Sequence, residues 1–249
     1  MFNMKTIIAS LLLFFGLSYF SLSVILEKIE TLQADRYYEV SNLMRSELQT
    51  LIQEKQETLL NISLSVSEND KIKQALLDND PSGVDLEKLS LKLKNLASLK
   101  NVWFHVVKLD GTSFYRSWTK TRGDTLLNAR MDIVAMLEDP RVTSSISVGK
   151  FDLTFKSMVP IYDKDKFIGI FESIAKFTSI STKMSQKGYQ TIIIVDKKYK
   201  KQLTRPFNDV FIDDYYVANV DANPKLLDLI KRETLHHFLS MQEQFDIHK

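Results

Sequence analysis

The stretch Phe104–Trp118, FHVVKLDGTSFYRSW, sets a turn signal between two runs of alternating residues. Asp110-Gly111 is a strong hairpin dipeptide, because both residue types accept the positive φ that tight hairpin turns demand. With those two residues at the centre of the turn, Leu109 faces Thr112, Val107 faces Phe114, His105 faces Arg116 and Trp103 faces Trp118. Side chains alternate between faces along a strand. One face is therefore expected to carry Trp103, His105, Val107, Phe114, Arg116 and Trp118, and the other Phe104, Val106, Tyr115 and Ser117. Arginine presents a planar fork suited to a carboxylate, and tryptophan supplies an apolar wall with one N–H donor. Mostly apolar walls with a few convergent donors make a small-ligand pocket. Trp103, His105, Phe114, Arg116 and Trp118 are thus the candidate ligand-binding residues. A one-residue shift of the turn would scramble the set and leave a half-exposed sheet with Arg116 paired to a surface carboxylate.

Outward from this hairpin, period-two patterns continue at about Leu153 to Tyr162 and Phe167 to Phe177, with a short helix expected at about Ala129 to Leu137. Upstream, Leu86, Leu89, Leu93, Leu96 and Leu99 recur at helical spacing after the loop Asp78–Gly83. Residues 27–70 contain neither Gly nor Pro and are rich in helix formers, which predicts a long stalk helix. A break near Asp35-Arg36 into two ordinary helices is the alternative. Thr6–Leu26 carries no charge, and about 20 apolar residues span a bilayer. A signal peptide has a shorter apolar run ending in small residues, so an uncleaved anchor is expected. Lys5 favours a cytoplasmic N-terminus with the remainder outside the inner membrane. Downstream of Gly188, YQTIIIVD and DVFIDDYYVANV each read as a strand, and Pro224 to Leu239 as a helix that opens on an N-terminal proline.

Composition excludes several classes. The net charge of +2 arises from 33 basic and 31 acidic side chains mixed along the chain, so no basic footprint marks a nucleic-acid partner. The absence of cysteine fits an exported protein without disulfides. His236 and His237 are adjacent on a helix and His248 is remote, so no metal pair at i, i+4 forms. The stretch from Asp163 has Phe167 and Ile168 where a calcium loop needs a ligand and a glycine, so a hairpin turn is the better reading. Asp213-Asp214 would point to opposite strand faces, and neither a nucleophile elbow nor a phosphate loop occurs. No enzyme, no cofactor and no metal site are expected.

The hairpin, then Arg122-Gly123-Asp124, then SVGKFDLTFKSMVPIYDKDKFIGIFES resemble the extracytoplasmic Cache sensor domains of bacterial chemoreceptors, histidine kinases and diguanylate cyclases. More narrowly they resemble the double-Cache branch with an FH…DG-S-F-R hairpin, matched by Phe104, His105, Asp110, Gly111, Ser113, Phe114 and Arg116. Val159-Pro160-Ile161 and Ile168-Gly169 match its later strands. The resemblance implies an α+β fold: transmembrane helix, stalk helix, a PAS-like mixed or antiparallel sheet binding a small molecule, and a partial second module. The corresponding division is 1–5 cytoplasmic, 6–26 anchor, 27–70 stalk, 71–187 membrane-distal sensor and 188–249 partial membrane-proximal module. The family's second span and output domain have no counterpart in this sequence, so either the chain is a truncated form or it passes its signal to a separate membrane signalling partner. The apolar stripe of the stalk, Leu43, Leu48, Leu51 and Leu59 among it, suggests a homodimer. The expected function is detection of a small, anionic ligand for transmembrane signalling. A membrane-anchored assembly protein without a ligand is the alternative.

Overall fold

The structure, a computed structural model, describes residues 4–96, 102–232 and 235. The expected helix end near Leu239, and His236, His237 and His248, lie outside them. Two compact units divide the chain, Met1–Thr50 and Leu51–Lys249. Helix α1 (Met4–Ser67) runs through Asp35-Arg36 without a break. In the first unit its apolar run, from Leu11 through Phe20 to Leu26, is exposed, and this helix is long and apolar enough to cross a membrane.

In the second unit, Leu51 and Leu59 of α1 are buried among Phe104, Phe155 and Phe171 of a sheet, and Ser63 Oγ lies 2.8 Å from Ser173 Oγ. After α1, Asn69 caps α2 (Asp70–Asp78) by accepting from the Lys71 N–H, and Asn79 ends it in the left-handed region. This is the usual way to satisfy the open carbonyls of a helix end. A 3₁₀ turn at Pro81–Gly83 leads into α3 (Leu86–Leu96).

Five antiparallel strands follow: β1 (Val102–Val107), β2 (Ser113–Arg116), β3 (Thr143–Val148), β4 (Leu153–Asp163) and β5 (Lys166–Lys176), in the order β2-β1-β5-β4-β3. Between β2 and β3 lies α4 (Met131–Glu138). The sheet is antiparallel throughout, and β3 was not expected from the sequence. The turn between β4 and β5 is a hairpin, with Asp163 paired to Lys166. Pro160 is tolerated inside β4 because the last β3 pair is Thr143 with Met158. Beyond it β4 is an edge, where a missing N–H costs nothing. Gly169 is required where β5 crosses β1: a Cβ there would stand 2.8 Å from the Val107 carbonyl oxygen.

Helix α5 (Thr178–Gln186), also unexpected, connects to β6 (Ile194–Val195), β7 (Phe211–Ile212), β8 (Tyr215–Val217) and α6 (Pro224–Arg232). The smaller sheet has the order β6-β8-β7. The segment DVFIDDYYVANV is therefore a hairpin and not one strand. Asp213, at φ 52°, and Asp214 form its turn, so they do not sit on opposite faces of a strand.

Candidate functional site

The β1–β2 hairpin pairs His105 with Arg116, as the sequence predicts, but by a different route. Gly111 N–H donates to the Lys108 carbonyl and Lys108 N–H to the Thr112 carbonyl. The loop is therefore three residues, Leu109 to Gly111, with Gly111 at φ +74°. This shifts the register so that Val107 faces Ser113. A bulge at Phe114 then restores it, and Val106 faces Tyr115. The bulge corrects one expectation. Phe114 turns to the opposite face and is buried with Phe104, Val106 and Tyr115, away from His105. Ser113 takes its place, with Oγ 2.9 Å from His105 Nε2.

Cross-strand partners share a face, so two adjacent rows run across the sheet on the His105 side. The first is Arg116, His105, Glu172, Met158 and Thr143. The second contains Trp103, Ile174, Lys156 and Ser145, with the Trp118 ring 6.1 Å from Trp103 at its outer end.

The first row is sealed. Glu172 is fully buried. Arg130, just before α4, reaches down with Nη2 2.5 Å from Glu172 Oε1 while its Nε donates to Asp132 Oδ1 at 2.8 Å. His105 Nδ1 lies 3.0 Å from Glu172 Oε2. A carboxylate only accepts, so Nδ1 carries the proton and Nε2 accepts from the Ser113 hydroxyl. Burial lowers the His105 pKa despite the neighbouring carboxylate. Burial alone would raise the Glu172 carboxyl, but the Arg130 guanidinium, then His105 and Lys156, hold it well below the usual range. Both ring nitrogens of His105 thus have protein partners, which corrects its expected role as a donor to ligand.

Arg116 is likewise engaged. Its Nη1 and Nη2 donate to the two Asp124 oxygens at 2.6 and 2.8 Å, and Nη1 also to the Thr121 carbonyl. Asp124 is delivered there because its segment runs along β2, with Ser113 N–H donating to the Asp124 carbonyl and Gly123 N–H to the Ser113 carbonyl. The fork expected to receive a ligand carboxylate is filled by the protein's own.

The second row is more open. Trp103 and Ile174 are half-buried, Trp118 is exposed, and the Lys156 ammonium stands at the row's inner end, 3.5 Å from Asp132 Oδ2. Burial and then Arg130 lower the Lys156 pKa. Among the sequence-predicted residues, the structure brings Trp103, His105, Arg116 and Trp118 together and excludes Phe114. Sequence reasoning missed Lys156, Glu172, Arg130 and Asp132. A lysine and a glutamate inside the otherwise apolar strands LTFKSMVPIYD and KFIGIFESIAK were the available signal.

A long helix laid on one face of a five-stranded antiparallel sheet, with a polar constellation on the other, defines a Cache-type sensor module of mixed α+β architecture. The chain belongs to the family described as the double sensory domain of two-component sensor kinases, whose profile matches residues 39–246. Its fold is similar to the extracellular domain designated vpHK1S-Z8, described as that of a histidine kinase, at TM-score 0.51 and 12% identity, over 66% of this chain and 69% of that one. It is also similar to the sensor domain of the Vibrio cholerae histidine kinase DctB, at TM-score 0.48 and 13% identity, over 79% and 77%. A third likeness is to the ligand-binding domain of the Campylobacter jejuni chemoreceptor Tlp3, described in complex with L-valine, at TM-score 0.42 and 11% identity, over 68% and 71%. No curated protein matches the sequence.

Proposed function

We propose that the chain is the extracytoplasmic, ligand-detecting part of a transmembrane signalling system, anchored in the inner membrane by residues 6–26 and without catalytic activity of its own. The ligand is a small organic anion with an apolar body. One observation carries this reading: the second row of the sheet sets an aromatic and aliphatic floor, Trp118, Trp103 and Ile174, against the buried ammonium of Lys156. The sealed row of Arg116, His105 and Glu172 holds this floor in place. A homodimer through the stalk and a membrane signalling partner complete the reading.

The test is a thermal-shift screen of the full chain in detergent micelles against small carboxylates and amino acids. Saturation at about 100 times Kd adds about 2.7 kcal/mol of stability. Lys156→Met should weaken the best hit by one to two decades, the worth of a charge-assisted hydrogen bond of about 1.5–3 kcal/mol. Equal affinity in wild type and Lys156→Met would sink this site. No hit across the panel would favour the ligand-free assembly role.

A further inference from the structure

A second groove, of about 550 Å³, lies beyond the β2 edge of the sheet, away from the Lys156 row. Ser82, Asp85 and Glu87, at the entry to α3, line one wall, and Tyr115, Lys120 and Arg122 the other. Arg122 is the residue of interest. Its guanidinium carbon stands 4.6 Å from the centroid of the Tyr115 ring. Tyr115 is itself buried and fixed, its Oη accepting from the Glu87 N–H at 3.3 Å. The Arg122 backbone is held by its neighbour, since Gly123 N–H donates to the Ser113 carbonyl at 2.8 Å. Arg122 is therefore positioned before any ligand arrives. Yet its Nε is buried without an acceptor, and no hydrogen bond or ion pair holds its guanidinium among the described residues.

A desolvated N–H of a charged group without an acceptor is costly, and native proteins rarely leave one. Arginine stacked on an aromatic ring keeps its edge free, and that edge takes a carboxylate through two parallel N–H···O bonds. The opposite wall decides what else the ligand must carry. Asp85 commits one oxygen to the Lys88 N–H at 3.2 Å, and Glu87 meets Lys120 at 3.5 Å in an exposed, weak pair across the groove. A bare polyanion would be repelled by this acidic wall, and a bare cation by Arg122 and Lys120. We infer that the groove is a second ligand site, for a small zwitterion of amino-acid type, with its carboxylate on Arg122 and its ammonium between Asp85 and Glu87.

The experiment follows the arginine Nε–Hε signals of the full chain, labelled with ¹⁵N-arginine in lipid nanodiscs, at constant ionic strength. Glycine, acetate and methylammonium serve as probes, and Arg122→Lys identifies the Arg122 signal. Glycine and acetate should both move that signal, and glycine should half-saturate at a concentration about tenfold lower, a difference of about 1.4 kcal/mol. The double variant Asp85→Asn, Glu87→Gln should bring glycine and acetate together, and methylammonium should move nothing. Lys156→Met should leave these responses intact, so the failure of one site is separable from that of the other. An Arg122 signal unmoved by glycine up to about 100 mM, far above a weak Kd of millimolar order, overturns the proposal. So does an equal response to glycine and acetate in the wild-type chain.

Discussion

Lys55 Nζ is buried on the sheet-facing part of α1 without a hydrogen-bond partner. Burial, and then the nearby Lys183 ammonium, lower its pKa to about 8 from 10.5. Between those two values the unfolded chain holds a proton that the folded chain has released, so stability rises with pH across that window. Below about pH 8 the penalty is present in full. Lys55→Met should raise stability at pH 7 by something on the order of 3 kcal/mol and flatten the profile from pH 8 upward. Denaturant melts at pH 7 and 10 test this, and an unchanged or lower stability at pH 7 would show that the amine has found a partner. Glu172 works in the opposite direction. Its depressed pKa gives stability that is present above the ordinary carboxylate range and lost as acid protonates it, and the depressed His105 pKa adds a further loss below about pH 6.5. Glu172→Gln leaves Arg130 half-paired and His105 without its carboxylate, a change that costs about 3–5 kcal/mol when a buried pair is broken. A loss under about 1 kcal/mol would mean that the Arg130–Asp132 bonds suffice by themselves. The sequence places His105 opposite Arg116 and marks Glu172 as a carboxylate in an apolar strand, but it does not link the two, which meet only through strand pairing 67 residues away.

Among the elements, the expected hairpin matches the structure at its base for reasons that fail at its tip. Asp110-Gly111 predicts a two-residue loop where three residues turn, and the bulge at Phe114 cancels the difference before His105 is reached. Pattern alone could not reveal the pair, because the longer loop and the bulge each shift the register by one residue and cancel from Tyr115 onward, leaving only Ser113 and Phe114 on exchanged faces. Other misses have simpler causes. Strand β3, TSSISV, is a polar edge strand, without the apolar alternation that marks a half-buried one. Helix α5, TSISTKMSQ, is rich in Ser and Thr, weak helix formers, and is held by burial of Ile180 and Met184 instead. The long periodic elements α1, β4 and β5 were legible because their patterns persist over many residues. Gly169 offers a test of how closely β5 must approach β1. Alanine there places a methyl 2.8 Å from backbone oxygen, and overpacking of this kind costs about 1–3 kcal/mol. The alanine variant should therefore melt lower in calorimetry, and an unchanged melting temperature would mean that the strands can part at no cost.

At the scale of the whole second unit, the open row of the sensor sheet continues into the smaller sheet through aromatic and ionic contacts. Phe207 packs at a tilt against Trp103, ring centroids 5.4 Å apart, and stacks on Phe151 at 5.3 Å, and its N–H donates to the Phe151 carbonyl at 3.0 Å. Lys176 Nζ lies 3.6 Å from the Phe207 ring centroid and 3.4 Å from Asp152 Oδ2. Burial raises the Asp152 carboxyl against the pull of Lys176, and burial and then the Asp152 charge raise the Tyr216 phenol of β8. A ligand resting on Trp103 would thus press on Phe207 and, through Lys176 and Asp152, on β8. The chain has two tryptophans, Trp103 and Trp118, so its selectively excited tryptophan emission reports this site alone. Phe207→Ala should red-shift the emission without ligand, because Trp103 loses an apolar cover. Its effect on ligand affinity should stay within about threefold, less than 1 kcal/mol, because the Lys156 ammonium is untouched. Hydrogen exchange reads the coupling between the two sheets directly. Ligand should slow exchange at Tyr215–Val217 in the wild-type chain, and Phe207→Ala should abolish that remote protection while binding persists. Equal protection of β8 in both chains would mean that the aromatic stack carries no coupling between the two sheets.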